Sequence, residues 1–277
     1  MSESLHQKIN NFINANDMKF LELHTWDALN KQNTLKNHSR ELLILDASFN
    51  PPTLAHLRLI QLSLETLKNI KGIKEENVDI WLIYAVVNAD KSSVILDDIC
   101  YRIELLQAFK QDVFDALGTR DIRIFLAKDA RFVDKARSLQ ELGYLSWLIV
   151  GGDTWQRILN PKYYPERDIW DAMEELFTNI KGILMCPRHG FEISKEDISR
   201  MKEVTKRYGN QIAELSCYED TFLLDISSTQ VRRVLNDTVM ERRHQALVKL
   251  VPPHVLNILA KIQTTSVKNS RNRFNFI

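Results

Sequence analysis

Short apolar runs alternate with longer helical patterns along most of this chain of 277 residues. The predicted strands lie at 42–47, 78–87, 122–127, 147–150, 182–186 and 212–217, and the predicted helices at 54–70, 100–117, 130–142, 168–179, 194–208, 228–236 and 241–261. The runs are apolar on both faces, which is typical of strands buried in a parallel sheet. This alternation predicts an open parallel sheet that is covered by helices on both faces.

The composition excludes several classes of protein. Lys and Arg number 37 and Asp and Glu 36, a formal net charge of +1, which argues against binding nucleic acid through a basic surface. The three cysteines form no C-x-x-C pair, which argues against a zinc ribbon or disulfide scaffold and suits a reducing compartment. The longest apolar run, 80–87, is far shorter than the ~20 residues that span a bilayer. We therefore expect a soluble cytoplasmic protein, with the nucleus as an additional location, and no membrane or nucleic-acid partner.

The pattern divides the chain into three parts. Residues 1–40 are predicted to form an N-terminal helical extension, because Leu5 and Ile9 fall on one face of a helix. Residues 41–262 carry the alternation of strands and helices and are expected to form the main domain. Residues 263–277 are polar and basic, so we expect a flexible tail.

The first predicted strand runs directly into a turn and a helix, with the sequence Ala47-Ser48-Phe49-Asn50-Pro51-Pro52-Thr53-Leu54-Ala55-His56. Thr53 and His56 are three residues apart, so both side chains can lie in the first turn of that helix. The amino terminus of a helix attracts anions, and a hydroxyl and an imidazole there can reach phosphate oxygens. The usual phosphate motifs, G-x-G-x-x-G and G-x-x-x-x-G-K-[ST], are absent from the sequence. The segment predicts a phosphate site, and the alternative is an ordinary helix start with a solvated histidine.

A second segment combines hydroxyl groups with arginines, in the sequence Asp225-Ile226-Ser227-Ser228-Thr229-Gln230-Val231-Arg232-Arg233. Ser227 and Gln230 fit the capping box S-x-x-[EQ], which gives these two residues a structural explanation. The box leaves the three consecutive hydroxyls and the two arginines unexplained. Backbone N–H groups, hydroxyls and a guanidinium that face one point can clamp a polyphosphate. We therefore expect a second phosphate-binding turn here.

Together, the two segments resemble the signatures G-S-F-x-P-x-[HT]-x-x-H and I-S-S-T-x-x-R-R of the nicotinamide mononucleotide adenylyltransferase family, in the nucleotidyltransferase superfamily. The similarity is greatest to a divergent fungal branch of the family, the promoter-of-filamentation branch. Three weaker matches follow in the family's order, namely Gly151-Gly152-Asp153, Ile169-Trp170 and Cys186-Pro187-Arg188-His189-Gly190. The resemblance extends over residues 42–261, which is most of the chain.

The resemblance implies a role for each matching residue. The ATP-binding residues would be Ser48, Phe49, Thr53, His56, Ser227, Ser228, Thr229, Gln230, Val231 and Arg232, and the mononucleotide-binding residues would be Gly151, Asp153, Ile169, Trp170 and Arg188. The catalytic residues would be His56, Lys91 and Arg232, which would oppose the negative charge that grows on the phosphates. Mg²⁺ would arrive with ATP, and no metal site on the protein is expected.

The fold implied by the resemblance is a Rossmann-like α/β fold of the nucleotidyltransferase type, a parallel sheet sandwiched by helices. The activity implied is transfer of AMP from ATP to nicotinamide mononucleotide, which forms NAD and pyrophosphate. Some residues also have structural explanations. Asp153 fits a helix cap, Trp155 and Trp170 fit packing in the core or at its rim, and Arg188 fits a salt bridge. The oligomeric state and the choice between an amide and an acid mononucleotide are left open.

The chain departs from the family's pattern at three places. The opening glycine of the first signature is Ala47, and the family's Tyr-Lys-Lys segment is replaced by Asn88-Ala89-Asp90-Lys91. The family's Trp-x-x-Thr segment near the nicotinamide has no clear counterpart, and residues 130–135 occupy that stretch. These departures keep two alternatives open. One is a nucleotidyltransferase or ATPase with another substrate, and the other is a non-catalytic regulatory protein that binds nucleotides.

Overall fold

The computed structural model describes residues 4–23, 40–86, 96–118, 121–186, 195–216, 225–237 and 239–266, with side chains as far as Lys261. The helices are α1 (Leu5–Asn14), α2 (Leu54–Lys71), α3 (Leu96–Leu117), α4 (Phe132–Glu141), α5 (Gly152–Ile158), α6 (Ile169–Thr178), α7 (Lys195–Tyr208), α8 (Ser228–Leu235), α9 (Met240–Leu247) and α10 (Pro253–Ser266). The strands are β1 (Phe20–Glu22), β2 (Glu41–Asp46), β3 (Val78–Ala85), β4 (Ile122–Ala127), β5 (Ser146–Gly151), β6 (Gly182–Cys186) and β7 (Ile212–Glu214). Among these helices, none has the length and apolar character that crossing a membrane requires.

The described strands form one sheet, in the order β1-β4-β3-β2-β5-β6-β7. Neighbouring strands run parallel except for β1 and β4, which run antiparallel. The chain moves from β2 towards one edge of the sheet and returns at β5 to move towards the other edge. The six predicted strands are confirmed, and so is the expected fold class, a Rossmann-like α/β fold with a mostly parallel sheet between helices.

Each face of the sheet carries its own hydrophobic core. Leu43 and Leu45 of β2 pack in the core that contains residues of α1, α2, α3, α8, α9 and α10. Leu42 and Ile44 of the same strand pack in the opposite core, with residues of α4, α5, α6 and α7. Burial of one such side chain contributes about 1.5–3 kcal/mol. Because both faces are covered, the strands appear in the sequence as continuous apolar runs.

The described part of the N-terminal segment packs onto this sheet. Ile9 and Phe12 of α1 are fully buried, and β1 pairs with β4 at the edge of the sheet. The predicted helical extension therefore contains an edge strand as well as a helix. The strand has three residues, too few to show the periodicity that identified the other strands. The remainder of the segment, 24–39, and residues 267–277 of the predicted tail lie outside the described residues.

Gly182, the first residue of β6, occupies a position where a side chain does not fit. A Cβ atom there would lie 2.4 Å from the carbonyl oxygen of Gln211 and 2.5 Å from the ring of Trp147. We expect Gly182→Ala to lower the free energy of unfolding by about 1–3 kcal/mol, because the backbone of β6 must shift. Urea unfolding measures this change. Gly209→Ala is the control, since a Cβ at Gly209 meets no atom within 4 Å, and equal stability of the two variants would contradict the prediction.

Candidate functional site

A cleft of about 790 Å³ opens where the central strands end. Its floor contains residues at the carboxyl ends of four neighbouring strands: Asp46 of β2, Ala85 of β3, Gly151 of β5 and Cys186 of β6. One wall is formed by the amino-terminal turns of α2 and α8, and the other by α4, α5 and the short helix Pro161–Tyr163. Ligands of open α/β sheets bind at this location, outside the carboxyl ends of strands where the strand order reverses.

The structure brings most of the predicted site residues to this cleft. The cleft is lined by Ser48, His56, Gly151, Asp153, Ser227, Ser228, Thr229, Gln230 and Arg232. Three further predicted residues are buried next to it, namely Phe49, Thr53 and Val231. Lys91 and Arg188 lie outside the described residues. The two signatures, which are far apart in the sequence, therefore form one wall of a single cleft.

His56 is oriented by the start of its own helix. Its Nδ1 accepts a hydrogen bond from the backbone N–H of Thr53 at 3.1 Å, and the Thr53 hydroxyl lies 2.8 Å from the same nitrogen. The ring packs against the buried rings of Phe49 and Phe109, with centroid distances of 5.4 and 6.3 Å. Because Nδ1 accepts a hydrogen bond, the proton of the neutral ring is on Nε2. His56 can therefore donate one hydrogen bond from Nε2 without carrying a charge.

The ring of Phe49 packs against His56 and helps to position it. Its φ of 44° lies in the left-handed region, which is unfavourable for a residue with a large side chain. Full burial of the ring, against His56 and at 6.0 Å from Phe109, offsets this strain. Phe49 does not line the cleft, so its contribution is to hold the turn and the imidazole.

Burial lowers the pKa of His56 from 6.5 to about 4, and the carboxylate of Asp153 opposes part of this effect. The unfolded chain therefore binds more protons than the folded protein between these two pH values. We expect the free energy of unfolding to be fully retained above pH 6.5 and to fall as the pH is lowered towards about 4. Urea unfolding at a series of pH values measures this dependence.

The control for the pH dependence is His56→Gln, which removes the titrating group. A glutamine at this position keeps an acceptor for the Thr53 N–H, as in a capping box. The stability of the variant should therefore depend less on pH between 6.5 and 4 than that of the wild type. An identical dependence in both proteins would contradict the lowered pKa of His56.

The second signature is tied to the first by two hydrogen bonds. The Ser228 hydroxyl donates to the carbonyl oxygen of Pro51 at 2.8 Å, and Nη1 of Arg232 donates to the carbonyl oxygen of Asn50 at 2.8 Å. Nη2 of Arg232 also donates to the hydroxyl of Thr229 at 3.0 Å. These bonds give Ser228 and Thr229 structural partners that the capping box did not supply. They also fix the relative position of the two helix termini.

The predicted capping box is confirmed at the start of α8. The backbone N–H of Ser227 donates to the side chain of Gln230 at 2.7 Å, and the N–H of Gln230 donates to the Ser227 hydroxyl at 3.2 Å. Val231 is fully buried and anchors the helix in the core. Ser227 and Gln230 therefore support α8 at the same time as they line the cleft.

Arg102 contacts Ser48 of the cleft from α3, and it was not identified from the sequence. Its guanidinium is buried on α3, donates to the carbonyl oxygen of Ser48 at 3.1 Å and pairs with Asp98 at 2.6 Å. Burial lowers the pKa of Arg232, and the charge of Arg102 lowers it further. Arg102 is paired with Asp98 and holds Ser48, whereas Arg232 is the guanidinium that lines the cleft. No motif identifies Arg102, because it acts from a helix distant in sequence.

The opposite wall carries groups that the sequence patterns did not indicate. Phe132 and Tyr163 present aromatic surface there, and Tyr164 beside them is buried. Lys135 of α4 forms an ion pair with Asp46 of β2 at the floor of the cleft. These residues come from three separate segments, so only the tertiary structure brings them together.

The remaining weaker matches divide between the cleft and the core. Asp153 lies in the first turn of α5, and the residue that precedes this helix is Gly151, so the interpretation of Asp153 as a helix cap is wrong. Trp155 is buried in the core. Ile169 is buried at the start of α6. The ring centroid of Trp170 lies 4.4 Å from Cζ of Arg207, so the indole stacks on that guanidinium. Neither residue of the Ile169-Trp170 match lines the cleft.

Comparison with known proteins bears on the resemblance of the two signatures. No known family model matches this chain. A curated relative from Schizosaccharomyces pombe, named "Putative nicotinamide mononucleotide adenylyltransferase", is 27% identical to it over 239 residues. The aligned residues are 83% of this chain and 88% of the relative, so the similarity extends over most of both proteins. The match supports, at a distant level, the family that the two signatures resemble.

Proposed function

We propose that this protein transfers AMP from ATP to a nicotinamide-type mononucleotide, which forms NAD and pyrophosphate. The observation that carries the proposal is the joining of the two signature turns through Ser228 and Arg232, beside His56, in one cleft. Two helix amino termini then face the same space, which is an arrangement that suits a polyphosphate. The name of the S. pombe relative agrees with this activity.

In this proposal the phosphates of ATP lie between the amino termini of α2 and α8. The first N–H groups of a helix have no backbone partner one turn earlier. The N–H of Leu54 donates to the carbonyl oxygen of Leu250 and the N–H of Gln230 to the Ser227 hydroxyl. The phosphates are therefore proposed to be attracted by the two helix dipoles and by the N–H groups that these bonds leave over. His56 donates a hydrogen bond from Nε2, and Arg232 contributes a positive charge that is already held in place by Asn50 and Thr229. These groups are preorganised, so they stabilise negative charge without rearranging during the reaction.

The reaction requires no covalent intermediate with the protein. A phosphate oxygen of the mononucleotide attacks the α-phosphorus of ATP, and the bond from that phosphorus to the bridging oxygen of the β-phosphate breaks. The electron pair of this bond stays with pyrophosphate, where Arg232 and the Nε2–H group of His56 oppose the developing charge. Lys91 is proposed to assist at the same stage. Positioning of the two substrates in one cleft contributes the remainder of the acceleration.

Mg²⁺ enters this proposal as part of the ATP substrate. Magnesium is commonly held by phosphate oxygens of the substrate together with water and one or two carboxylates. Within the described ranges, no group of three or more His, Cys, Asp or Glu side chains could hold a metal ion. We propose that the pyrophosphate oxygens carry the ion.

The acceptor is proposed to occupy the opposite half of the cleft. Phe132 and Tyr163 offer aromatic surface for a planar base, and the buried Tyr164 lies beside them. Asp153 lies between the two halves, since it lines the cleft and its charge acts on His56. This arrangement would direct the phosphate of the mononucleotide towards the helix termini.

Purified protein with ATP, Mg²⁺ and nicotinamide mononucleotide tests the proposal in a coupled assay for NAD. We expect NAD and pyrophosphate in equal amounts, with neither formed when the mononucleotide is omitted. Release of inorganic phosphate without NAD would indicate an ATPase, and ATP binding with no turnover would indicate a regulatory nucleotide-binding protein. Either result would overturn the proposed function.

A further inference from the structure

A buried ion pair lies at the floor of the acceptor half of the cleft. Asp46 is the last residue of β2, and its carboxylate pairs with the ammonium of Lys135 on α4. The two side chains are 8% and 6% exposed, and both residues line the cleft. Burying two charges is costly, and such a pair seldom adds stability relative to apolar side chains of similar size. Its position at a ligand cleft therefore points to a role in recognition.

The surroundings of the pair favour a flat ring that bears a polar substituent. The Lys135 ammonium lies 5.0 Å from the ring centroid of Phe132, which also lines the cleft. Arg131, the nearest arginine in sequence, is already neutralised by Asp134 and Glu166. Arg157 lines the cleft but is exposed, so water and salt screen its charge. The pair is thus a buried polar feature next to the ring of Phe132.

The chemistry of the pair discriminates between two kinds of substituent. Lys135 can only donate hydrogen bonds, and the ionised Asp46 can only accept them. A carboxamide satisfies both residues, because its oxygen accepts from Lys135 and its NH₂ group donates to Asp46. A carboxylate can also accept from Lys135, but it has no hydrogen to donate to Asp46, whose charge repels it.

We propose that Asp46 and Lys135 make the cleft selective for an acceptor mononucleotide whose base carries a carboxamide, and that Asp46 rejects the corresponding carboxylate. The inference rests on the proposed adenylyl transfer and adds to it the choice of acceptor. Selection by an unfavourable contact with the wrong ligand is a common source of specificity. Asp46 is the residue that supplies this contact.

The test compares kcat/KM for nicotinamide mononucleotide and nicotinic acid mononucleotide, each with ATP and Mg²⁺. We expect the wild type to prefer the amide by at least about tenfold, because unfavourable juxtaposition of like charges exceeds 1.4 kcal/mol. Asp46→Asn leaves the charge of Lys135 uncompensated, so the ratio of the two kcat/KM values should shift towards the acid by at least about tenfold. The double variant Asp46→Asn, Lys135→Met removes both charges and should show little preference.

The control is Glu41→Gln, at the opposite end of the same strand. The carboxylate of Glu41 also pairs with a lysine, Lys181, at 2.8 Å, so the chemical change is the same as in Asp46→Asn. Glu41 does not line the cleft, and the preference for the amide should be unchanged in this variant. A shift of the ratio in the control would show that the effect of Asp46 is not local.

The outcomes separate this inference from the proposed function. Equal use of the two mononucleotides by the wild type, or a preference for the acid, would overturn the inference and leave adenylyl transfer standing. Turnover of neither mononucleotide would overturn the proposed function. In that case calorimetric titration with each mononucleotide decides the inference, which requires tighter binding of the amide and is overturned by equal binding or by none.

Discussion

Replacement of His56 with alanine is expected to lower the rate of adenylyl transfer by about 10²–10³-fold, the usual effect of removing one preorganised donor to a developing charge. The Nε2–H group of His56 is the donor in question, since Nδ1 is occupied by Thr53. The loss should appear in kcat, because the donor stabilises charge that grows during the reaction. Steady-state kinetics with ATP and nicotinamide mononucleotide measures it.

The structure also assigns His56 a part in stability, so alanine alone is an incomplete test. The ring caps the start of α2 and packs on Phe49, and its loss should lower the free energy of unfolding by about 1 kcal/mol. His56→Gln keeps the acceptor for Thr53 and should fold with little loss, while it remains strongly impaired in turnover. Unchanged turnover in either variant, with a lowered melting temperature in the alanine variant, would assign His56 a structural role only.

Replacement of Arg232 is expected to weaken ATP binding or to slow turnover, and the loss should be larger for alanine than for lysine. Arg232 donates to Asn50 through one nitrogen and to Thr229 through another, so its planar guanidinium bridges the two signature turns. Lysine retains the charge but cannot reproduce the two-pronged geometry, so Arg232→Lys should also be impaired. Isothermal titration with Mg²⁺ and ATP, together with steady-state kinetics, measures both effects.

Two further variants separate the polyphosphate clamp from the helix cap. Gln230→Ala removes half of the capping box and should lower the free energy of unfolding by about 1 kcal/mol. Arg242→Lys changes an exposed arginine of α9 that does not line the cleft, and ATP affinity should stay the same. Equal ATP affinity and undiminished turnover in the wild type and in Arg232→Ala would remove the main support for the adenylyltransferase proposal.

The two halves of the cleft differ in how much of them the sequence predicted. The half formed by α2 and α8 consists of contiguous turns. The sequence could therefore single out the spacing of Thr53 and His56 and the run from Ser227 to Arg232, and the structure places both turns at one cleft. The acceptor half draws single residues from β2, α4 and the segment around Tyr163. Patterns in the sequence report only neighbours along the chain, so they could not identify the pair of Asp46 and Lys135.

The sequence by itself determined the local properties of this protein. Continuous apolar runs specify strands that are covered on both faces, and the alternation of strands and helices specifies a parallel sheet. The same holds for the capping box of Ser227 and Gln230, whose partners lie three residues apart. These features depend on the conformational preferences and periodicity of a few consecutive residues.

Only the tertiary structure decided the properties that depend on burial and on distant partners. The bond from Arg232 to Asn50 joins residues 182 positions apart, and the bond from Arg102 to Ser48 comes from a helix outside both signatures. The pKa of His56 is lowered because other elements of the fold pack around its ring and reduce its contact with water. Each of these effects depends on the packing of complete helices against the sheet, and this packing is absent from the local sequence.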